Sequence, residues 1–308
     1  MMSDRVLMCV QLNCQKSYGV MCDLGVRMVN EGVSVALLQE PYVSGGCVRG
    51  LPGRMQVFLS DDLKSAVVVN DVNLEVVLMN DCVSEHGVCV WMKGEYGELY
   101  VVSMYCQYGC NLEPYLRCLD RVYELVNGKN LLIGMDANAV SPLWHSKMRT
   151  RGGENEERGR TWEESIMEKG MFVLNEPCEC YTFSGARGES DIDVTLCNKV
   201  GMYQGCEWSV MSEWSISDHN VIVVRMRYNG NEMTDERVLG KRWSLKGVDW
   251  DEYVCKITER AEEFGIVRFE RLDTLSKLNV MMEWILKAND DCMKEIKGKY
   301  EESDLVDA

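Results

Sequence analysis

Short apolar runs broken by polar punctuation fill residues 1–228, and the period of each run separates strands from helices. Val6, Met8, Val10 and Leu12 alternate with less apolar neighbours, which predicts a half-buried strand ending at Asn13. Val20 to Asn30 predicts a helix with Leu24 and Met28 on one face and Gly32 as its stop. Val33 to Leu38 predicts a buried strand that runs into Gln39-Glu40-Pro41. Further strands are predicted at 55–59, 65–70, 74–79, 88–93, 99–105, 131–135, 171–174, 191–197, 206–212 and 219–226. Glu113-Pro114 opens an amphipathic helix with Leu116, Leu119, Tyr123 and Val126 on one stripe, and another helix covers 159–169.

The texture changes near Tyr228. Asn229-Gly230-Asn231 reads as a boundary, so the expected domains are 1–228 and 229–308. In the second, Asp249 can cap a short helix, and 271–300 can form a long one with Leu275, Leu278, Met282, Ile285 and Leu286 on one side. Many short strands with few helices before the boundary predict an α/β (α+β) fold. Two mixed sheets pack face to face and helices flank them, a four-layer sandwich.

Composition narrows the class. An apolar share of 46% and a charged share of 27% are those of a globular chain. Runs such as Val67-Val68-Val69 are too short to span a bilayer, and the N-terminus has no basic segment leading into a long apolar core. Neither a membrane segment nor a signal peptide is expected. The fifteen cysteines are odd in number and scattered, and most sit inside strand-like runs, as Cys9, Cys89 and Cys106 do. No C-x-x-C occurs and none of the three histidines has zinc-finger spacing, so reduced core cysteines of an intracellular protein are expected.

The net charge of −16 opposes a nucleic-acid partner, because phosphate-binding surfaces are ordinarily basic. Residues 229–308 hold 19 acidic and 13 basic side chains, which leaves −10 on 1–228. A nuclease working through a divalent cation would have to carry carboxylates in its cleft, which would account for part of such an excess. Contact with DNA then falls to local basic segments, of which Lys147 to Arg160 is the clearest, with Lys147, Arg149, Arg151, Arg158 and Arg160. Trp144 and His145 stand beside it, and basic side chains next to apolar wedges suit groove reading.

Candidate chemistry gathers at strand ends. Asn13 and Glu40 each close a predicted strand, where an oxygen ligand for a hard cation is well held. Gly134-Met135-Asp136-Ala137-Asn138 follows a buried strand and puts an acid and an amide two residues apart, one to activate a water and one to bind phosphate oxygen. Asp191, Asp193 and Thr195 share one strand face, from which Asp193 can orient a histidine. Tyr105 ends a strand, and Ser217-Asp218-His219 precedes the last one. Each cluster alone also reads as a polar turn, and Tyr105 alone as packing.

Taken in order, Asn, Glu, Tyr, Gly-x-Asp-x-Asn, Ile-Asp and Ser-Asp-His resemble the endonuclease/exonuclease/phosphatase superfamily over residues 5–228. Leu38-Gln39-Glu40-Pro41-Tyr42, Ser141-Pro142-Leu143-Trp144, Arg158-Gly159-Arg160 and Thr182-Phe183-Ser184-Gly185 narrow the likeness to the apurinic-like endonuclease domain of insect non-LTR retrotransposons. Ser141 to Ser146, Met104 to Tyr108 and Pro114-Tyr115-Leu116 are similar to the clade that inserts into ribosomal DNA. Two branches match less well. Ser190-Asp191-Ile192 lacks the aromatic residue of the abasic-site enzymes, and Asn220-Val221 replaces the Arg-Pro of the inositol phosphatases.

The resemblance implies a Mg²⁺-dependent DNA endonuclease, with Mn²⁺ as a substitute, that leaves a 3′-hydroxyl to prime reverse transcription. It implies that Asn13 and Glu40 position the cation, that Tyr105, Asn138 and His219 contact the scissile phosphate, and that Asp136 activates water. Asp193 pairs with His219, Asp218 supports the metal side, and Ser190 matches a position that holds a small hydroxyl residue. Double-stranded DNA is the implied partner, the nucleus the place of action, and 229–308 a connector towards a reverse transcriptase in cis. A phosphatase or phosphodiesterase of the same superfamily and a catalytically decayed remnant are the alternatives. Oligomeric state and target sequence do not follow from the residues.

Overall fold

In the computed structural model of the chain, the residues described are 5–95, 97–126, 128–146, 154–186, 188–199, 202, 205–228, 243–244, 247–265, 269–270 and 274–295. The chain divides into two compact units, Met1–Thr234 and Asp235–Ala308. The boundary expected at Asn229-Gly230-Asn231 lies outside the described residues.

The first unit opens with β1 (Arg5–Asn13), α1 (Tyr18–Asn30), β2 (Val35–Gln39), β3 (Val43–Ser44), β4 (Cys47–Val48), β5 (Gln56–Leu59) and β6 (Ser65–Val69). It continues through β7 (Glu75–Leu78), β8 (Gly87–Gly94), β9 (Gly97–Tyr105), α2 (Glu113–Val126), β10 (Leu131–Asp136), α3 (Glu154–Glu168) and β11 (Phe172–Val173). It closes with β12 (Phe183–Gly185), β13 (Gly188–Ser190), β14 (Asp193–Cys197), β15 (Cys206–Met211) and β16 (Val221–Tyr228). Two six-stranded sheets result, in the orders β15-β16-β1-β2-β6-β5 and β11-β14-β10-β9-β8-β7. Each is mixed, because β1–β2 and β9–β10 are parallel while the other pairs are antiparallel.

The strand period of two sorts side chains into layers. On β1, Val10 and Leu12 pack with Val20, Met21, Leu24 and Met28 of α1, whereas Leu7 and Cys9 face the other sheet. β2 divides likewise, with Ala36 and Leu38 towards α1 and Val35 and Leu37 inward. Across the interface, Leu132, Val88, Val90 and Val101 meet them. Leu131, Ile133 and Met135 point the other way, under Leu119 and Val122 of α2 and Trp162 and Ile166 of α3. Helix, sheet, sheet and helix therefore stack in that order, the expected four layers. The caps follow the sequence: the Ser17 hydroxyl accepts from the Val20 amide, and Arg27 pairs with Asp23 one turn back at 2.9 Å.

The inward face changes character along its length. Leu7, Cys9, Val35, Leu37 and Leu132 make it dry at one end, while Gln11, Asn13, Gln39, Ser103, Asp136, Asp193 and Thr195 make it polar and still buried at the other. Gln11 donates to the Met135 carbonyl at 3.1 Å and accepts from Thr195 at 3.0 Å, so it ties the sheets together. Gln39 donates to Ser103 at 3.0 Å and to the Gly134 carbonyl at 3.2 Å. Gly134 has to be glycine, because a Cβ there would stand 2.8 Å from Gln11 Oε1 and 2.9 Å from Leu37 Cδ1.

The helix expected at 159–169 begins earlier, at Glu154, and the strand expected from 191 begins at Asp193. The Thr182 hydroxyl accepts from the amides of Ile192 and Asp193 (3.1 and 3.2 Å), which holds the chain in a turn there. The second unit holds β17 (Trp243–Ser244), α4 (Trp250–Phe264), α5 (Thr274–Cys292) and β18 (Lys294–Glu295), with β17 and β18 antiparallel. Asp249 caps α4 as expected, accepting from Asp251 and Glu252, and the Tyr253 hydroxyl joins α4 to Asn289 of α5 at 2.9 Å. Ile285 is half-buried on α5, whereas Leu286 is exposed.

Candidate functional site

The polar ends of four strands meet at one edge of the sandwich. Register puts Asp136, the last residue of β10, opposite Asp193 on one side and Tyr105 on the other. From the first sheet comes Asn13, the last residue of β1, whose amide donates to Asp136 Oδ2 at 2.9 Å. The Asn138 backbone N–H donates to the other Asp136 oxygen at 3.1 Å. His219 precedes β16 and bonds Asp193 Oδ2 through Nδ1 at 2.9 Å. Phe183 of β12 lies edge-on to the imidazole at 5.0 Å. Asn13, Asp136, Asp193 and His219 are all buried.

Electrostatics split the two acids from the base. Burial raises the Asp136 pKa, the Asp193 charge raises it further, and His219 with the bonds from Asn13 and Asn138 oppose this, leaving it at about 7. Burial lowers the pKa of His219, but the charge and hydrogen bond of Asp193, helped by Asp136 and Glu40, more than reverse this and lift it to about 9. Near neutral pH the edge therefore holds a carboxyl close to its titration point beside an imidazolium. Burial and the charges of Glu40 and Asp136 push the Tyr105 hydroxyl well above the usual tyrosine range.

Glu40 and Asp218 complete the edge from loops. Glu40 has φ 46° and Asn138 has φ 44°, left-handed conformations that a side chain holds only when its surroundings dictate them. The Glu40 amide donates to the Lys64 carbonyl at 2.7 Å, its carbonyl accepts from the Lys16 amide at 2.8 Å, and its carboxylate pairs with Lys16 Nζ at 3.0 Å. Asp218 is exposed, and Oδ2 accepts from Gln15 Nε2 at 3.1 Å. Gln15 Oε1 accepts in turn from the Asp218 amide (3.1 Å) and the Ser217 hydroxyl (3.2 Å), while the Gln15 amide donates to Asn13 Oδ1 at 2.9 Å. Gln15 thus joins Asn13 to Asp218. The sequence reading missed it, and its only signal there is a polar residue two places after a strand-ending Asn.

The donor set suits a hard cation. Carboxylate and carboxamide oxygens predominate, and Asp193 Oδ1 is a buried acceptor with no hydrogen-bond partner among the described residues. Asp136, Asp193 and His219 each offer a ligand atom within 4.8 Å of the others, but an imidazolium ligates no metal, so this trio is not by itself the cation site.

The residues expected to face DNA fare differently. Lys147, Arg149 and Arg151 lie outside the described residues. Trp144 is not an exposed wedge: it is buried, with its indole N–H donating to the Asp191 carbonyl at 3.1 Å. Arg158 is likewise no surface cation, since it is buried and bonds main-chain carbonyls of Gln107, Cys110 and Asn138. Trp144 packs in the apolar cluster with Trp162, and Arg158 is held by main-chain carbonyls, so in each case buried partners outcompete solvent. Arg160 is exposed and pairs with Glu156 at 3.1 Å. Ser190 ends β13, half-buried and opposite Phe183. No disulfide joins the described cysteines, and burial pushes thiols such as Cys9 and Cys106 up and out of reactivity.

Comparison with known proteins shows what the chain is similar to. The profile of the family described as Endonuclease-reverse transcriptase matches residues 99–223. The retrovirus-related Pol polyprotein from type-1 retrotransposable element R1 of Bradysia coprophila is 43% identical over 253 residues, 80% of this chain and 25% of that protein. The putative 115 kDa protein in type-1 retrotransposable element R1DM of Drosophila melanogaster is 34% identical over 263 residues, covering 83% of this chain and 26% of that one. The chain thus spans about a quarter of the length of these relatives. The solved endonuclease domain of TRAS1, a telomere-specific non-LTR retrotransposon, superposes with a TM-score of 0.65 at 30% identity, over 73% of this chain and 99% of that domain.

Proposed function

The chain belongs to the endonuclease/exonuclease/phosphatase superfamily, among its non-LTR retrotransposon endonucleases, and from that premise we propose that it is a Mg²⁺-dependent endonuclease that nicks double-stranded DNA. The observation that carries the reading is the pairing of two buried couples at one sheet edge. Asn13 with Asp136 and Asp193 with His219 are each held at 2.9 Å, with a carboxyl near neutrality beside an imidazolium.

Asp136 is the base. Its carboxylate takes a proton from the attacking water, whose oxygen then bonds phosphorus in line with the departing 3′ oxygen. The phosphorus–3′-oxygen bond breaks, the 3′ oxygen takes up a proton from water, and a 3′-hydroxyl and a 5′-phosphate remain. His219, turned by Asp193, donates to a non-bridging phosphate oxygen as negative charge grows there, and Tyr105 and Asn138 hold the same group. Glu40, Asn13 and Asp218 would hold Mg²⁺, which when bound neutralises phosphate charge, and Mn²⁺ serves the same donors. The 3′-hydroxyl suits target-primed synthesis by a reverse transcriptase carried in cis, and the nucleus is where such a target lies. No helix among the described residues is long and apolar enough to cross a membrane.

Nicking of supercoiled plasmid with and without EDTA tests the reading. Wild type should relax the plasmid only when divalent cation is present, and Asp136→Ala and His219→Ala should lose activity by about two or more orders of magnitude. Equal nicking by all three proteins would overturn it, as would turnover of a small phosphate ester with no DNA cleavage.

A further inference from the structure

Arg158 has a use other than nucleic-acid contact. It is 5% exposed, and its guanidinium is shared by three main-chain carbonyls from two loops. Nε donates to Asn138 at 3.2 Å, one terminal nitrogen to Cys110 at 2.5 Å and the other to Gln107 at 3.4 Å. The first loop follows β10 and carries Asn138 two residues beyond Asp136. The second follows β9 and begins one residue beyond Tyr105. One planar fork of donors therefore spans the two loops that flank the phosphate-facing edge.

The helix that carries Arg158 is pressed against the same backbone. The Val140 amide donates to the Asn155 carbonyl at 3.2 Å, and the Ser141 hydroxyl bonds Glu163. A Cβ on Gly159 would lie 2.0 Å from the Val140 carbonyl oxygen, so only glycine lets α3 approach this closely. Asn138 holds its left-handed φ of 44° with its amide fixed by Asp136 and its carbonyl fixed by Arg158. Without the second bond, a strained residue of this kind relaxes towards ordinary backbone angles. Cys106 adds a further tie between the loops, because its amide donates to the Asp136 carbonyl at 2.9 Å.

We propose, resting on the endonuclease reading above, that Arg158 is a positioning residue: it sets the spacing between the Asn138 and Tyr105 loops that a scissile phosphate needs, and it does not touch DNA. Lysine keeps the charge and three donors, but all on one nitrogen, so it cannot span carbonyls that arginine reaches from three separate nitrogens.

The test compares wild type with Arg158→Lys and Arg158→Met. In plasmid nicking, kcat should fall about ten- to a hundredfold in both, the scale on which a misplaced catalytic group costs rate, while KM and half-saturating Mg²⁺ stay within about twofold. Duplex DNA binding in EDTA should keep its salt dependence, whereas loss of an arginine that contacts phosphate would flatten the log–log slope by about one. Amide hydrogen exchange at Asn138 and Val140 should accelerate in both variants, and free guanidinium should restore part of the rate to Arg158→Ala. Unchanged kcat and exchange, a flattened salt slope, or unfolding of both variants at 25 °C would each overturn the proposal. If wild type itself fails to nick, the endonuclease reading fails, and the amide exchange still decides whether Arg158 holds the loop.

Discussion

Replacing Asp193 with Asn removes one buried charge and keeps the shape of its pair with His219. In the native chain, burial pulls the imidazole towards neutrality, and Asp193, with Asp136 and Glu40 behind it, lifts the pKa to about 9. At pH 7.5 that gives about thirty protonated rings for each neutral one. The amide can still bond Nδ1, but the largest favourable charge is gone while burial persists, so the pKa should return to the ordinary range near about 6.5. About one ring in ten is then protonated at pH 7.5, and nicking falls about tenfold from protonation alone. Asp136 moves in a helpful sense, because losing the repulsion of Asp193 lowers its pKa and widens the range in which it is a base. Lowering the pH returns the imidazolium until Asp136 is itself protonated, so the variant's pH–rate optimum should lie below that of wild type. The chain has only three histidines, so NMR titration can follow His219 directly against His86 and His145. A His219 that titrates near 9 in the Asn variant, or near 6.5 in wild type, would refute the reasoning.

Stability in EDTA should decline as pH rises. Asp136 (about 7 against an ordinary 3.8) and His219 (about 9 against 6.5) are both raised in the folded state. The stability each contributes is complete below its unfolded value and lost through its folded value, across pH 4–7 and 6.5–9 respectively. A loss of a few kcal/mol, or a melting temperature lower by on the order of 10 °C, is expected between those limits, and a flat profile by calorimetry would contradict it. Gln15→Ala removes the bond that steadies Asp218 and should raise half-saturating Mg²⁺ about three- to tenfold with kcat at saturation little changed. Mn²⁺ binding followed by electron paramagnetic resonance should weaken in parallel, and unaltered affinity would dismiss the role. Gly134→Ala places a Cβ against Gln11 and Leu37 and should cost about 1–3 kcal/mol, which urea denaturation measures; an unmoved midpoint would show that the sheets can part there.

What could be read from the sequence was what strand periodicity controls. A run that alternates or stays apolar and then ends in Asn or Asp locates both the strand and the end at which polarity enters, and Asn13 and Asp136 lie there, whereas Asp193 opens its strand instead of closing it. The layers follow from the same alternation, because β1 and β2 carry two apolar faces. Arg158 and Trp144 failed the same treatment. Both belong to a stretch whose composition reads as surface, yet the carbonyls that Arg158 binds lie 20 to 51 residues earlier and the one that Trp144 binds lies 47 later. Local pattern carries no trace of partners that distant. The Asp249 cap of α4 was legible for the opposite reason, since the amides it accepts from are two and three residues away.

The acidity of the chain acquires a meaning once the cations are placed. Among the described residues, Lys16 is paired with Glu40, Lys64 with Asp62, Arg160 with Glu156, and Arg158 is committed to carbonyls. Cations already paired have less charge to lend a duplex, so on the proposed reading these residues add little to the ground-state hold on the backbone. The positive charge the proposed reaction does use is concentrated at His219 and at the cation that Glu40, Asn13 and Asp218 would hold. Both act on the oxygens where negative charge grows as the phosphodiester breaks. Interaction realised there raises turnover without tightening the hold on uncut DNA. Gln15 and Glu40 on the proposed metal side and Asn138 on the proposed phosphate side are all held left-handed, so the fold accepts backbone strain on both sides of that arrangement.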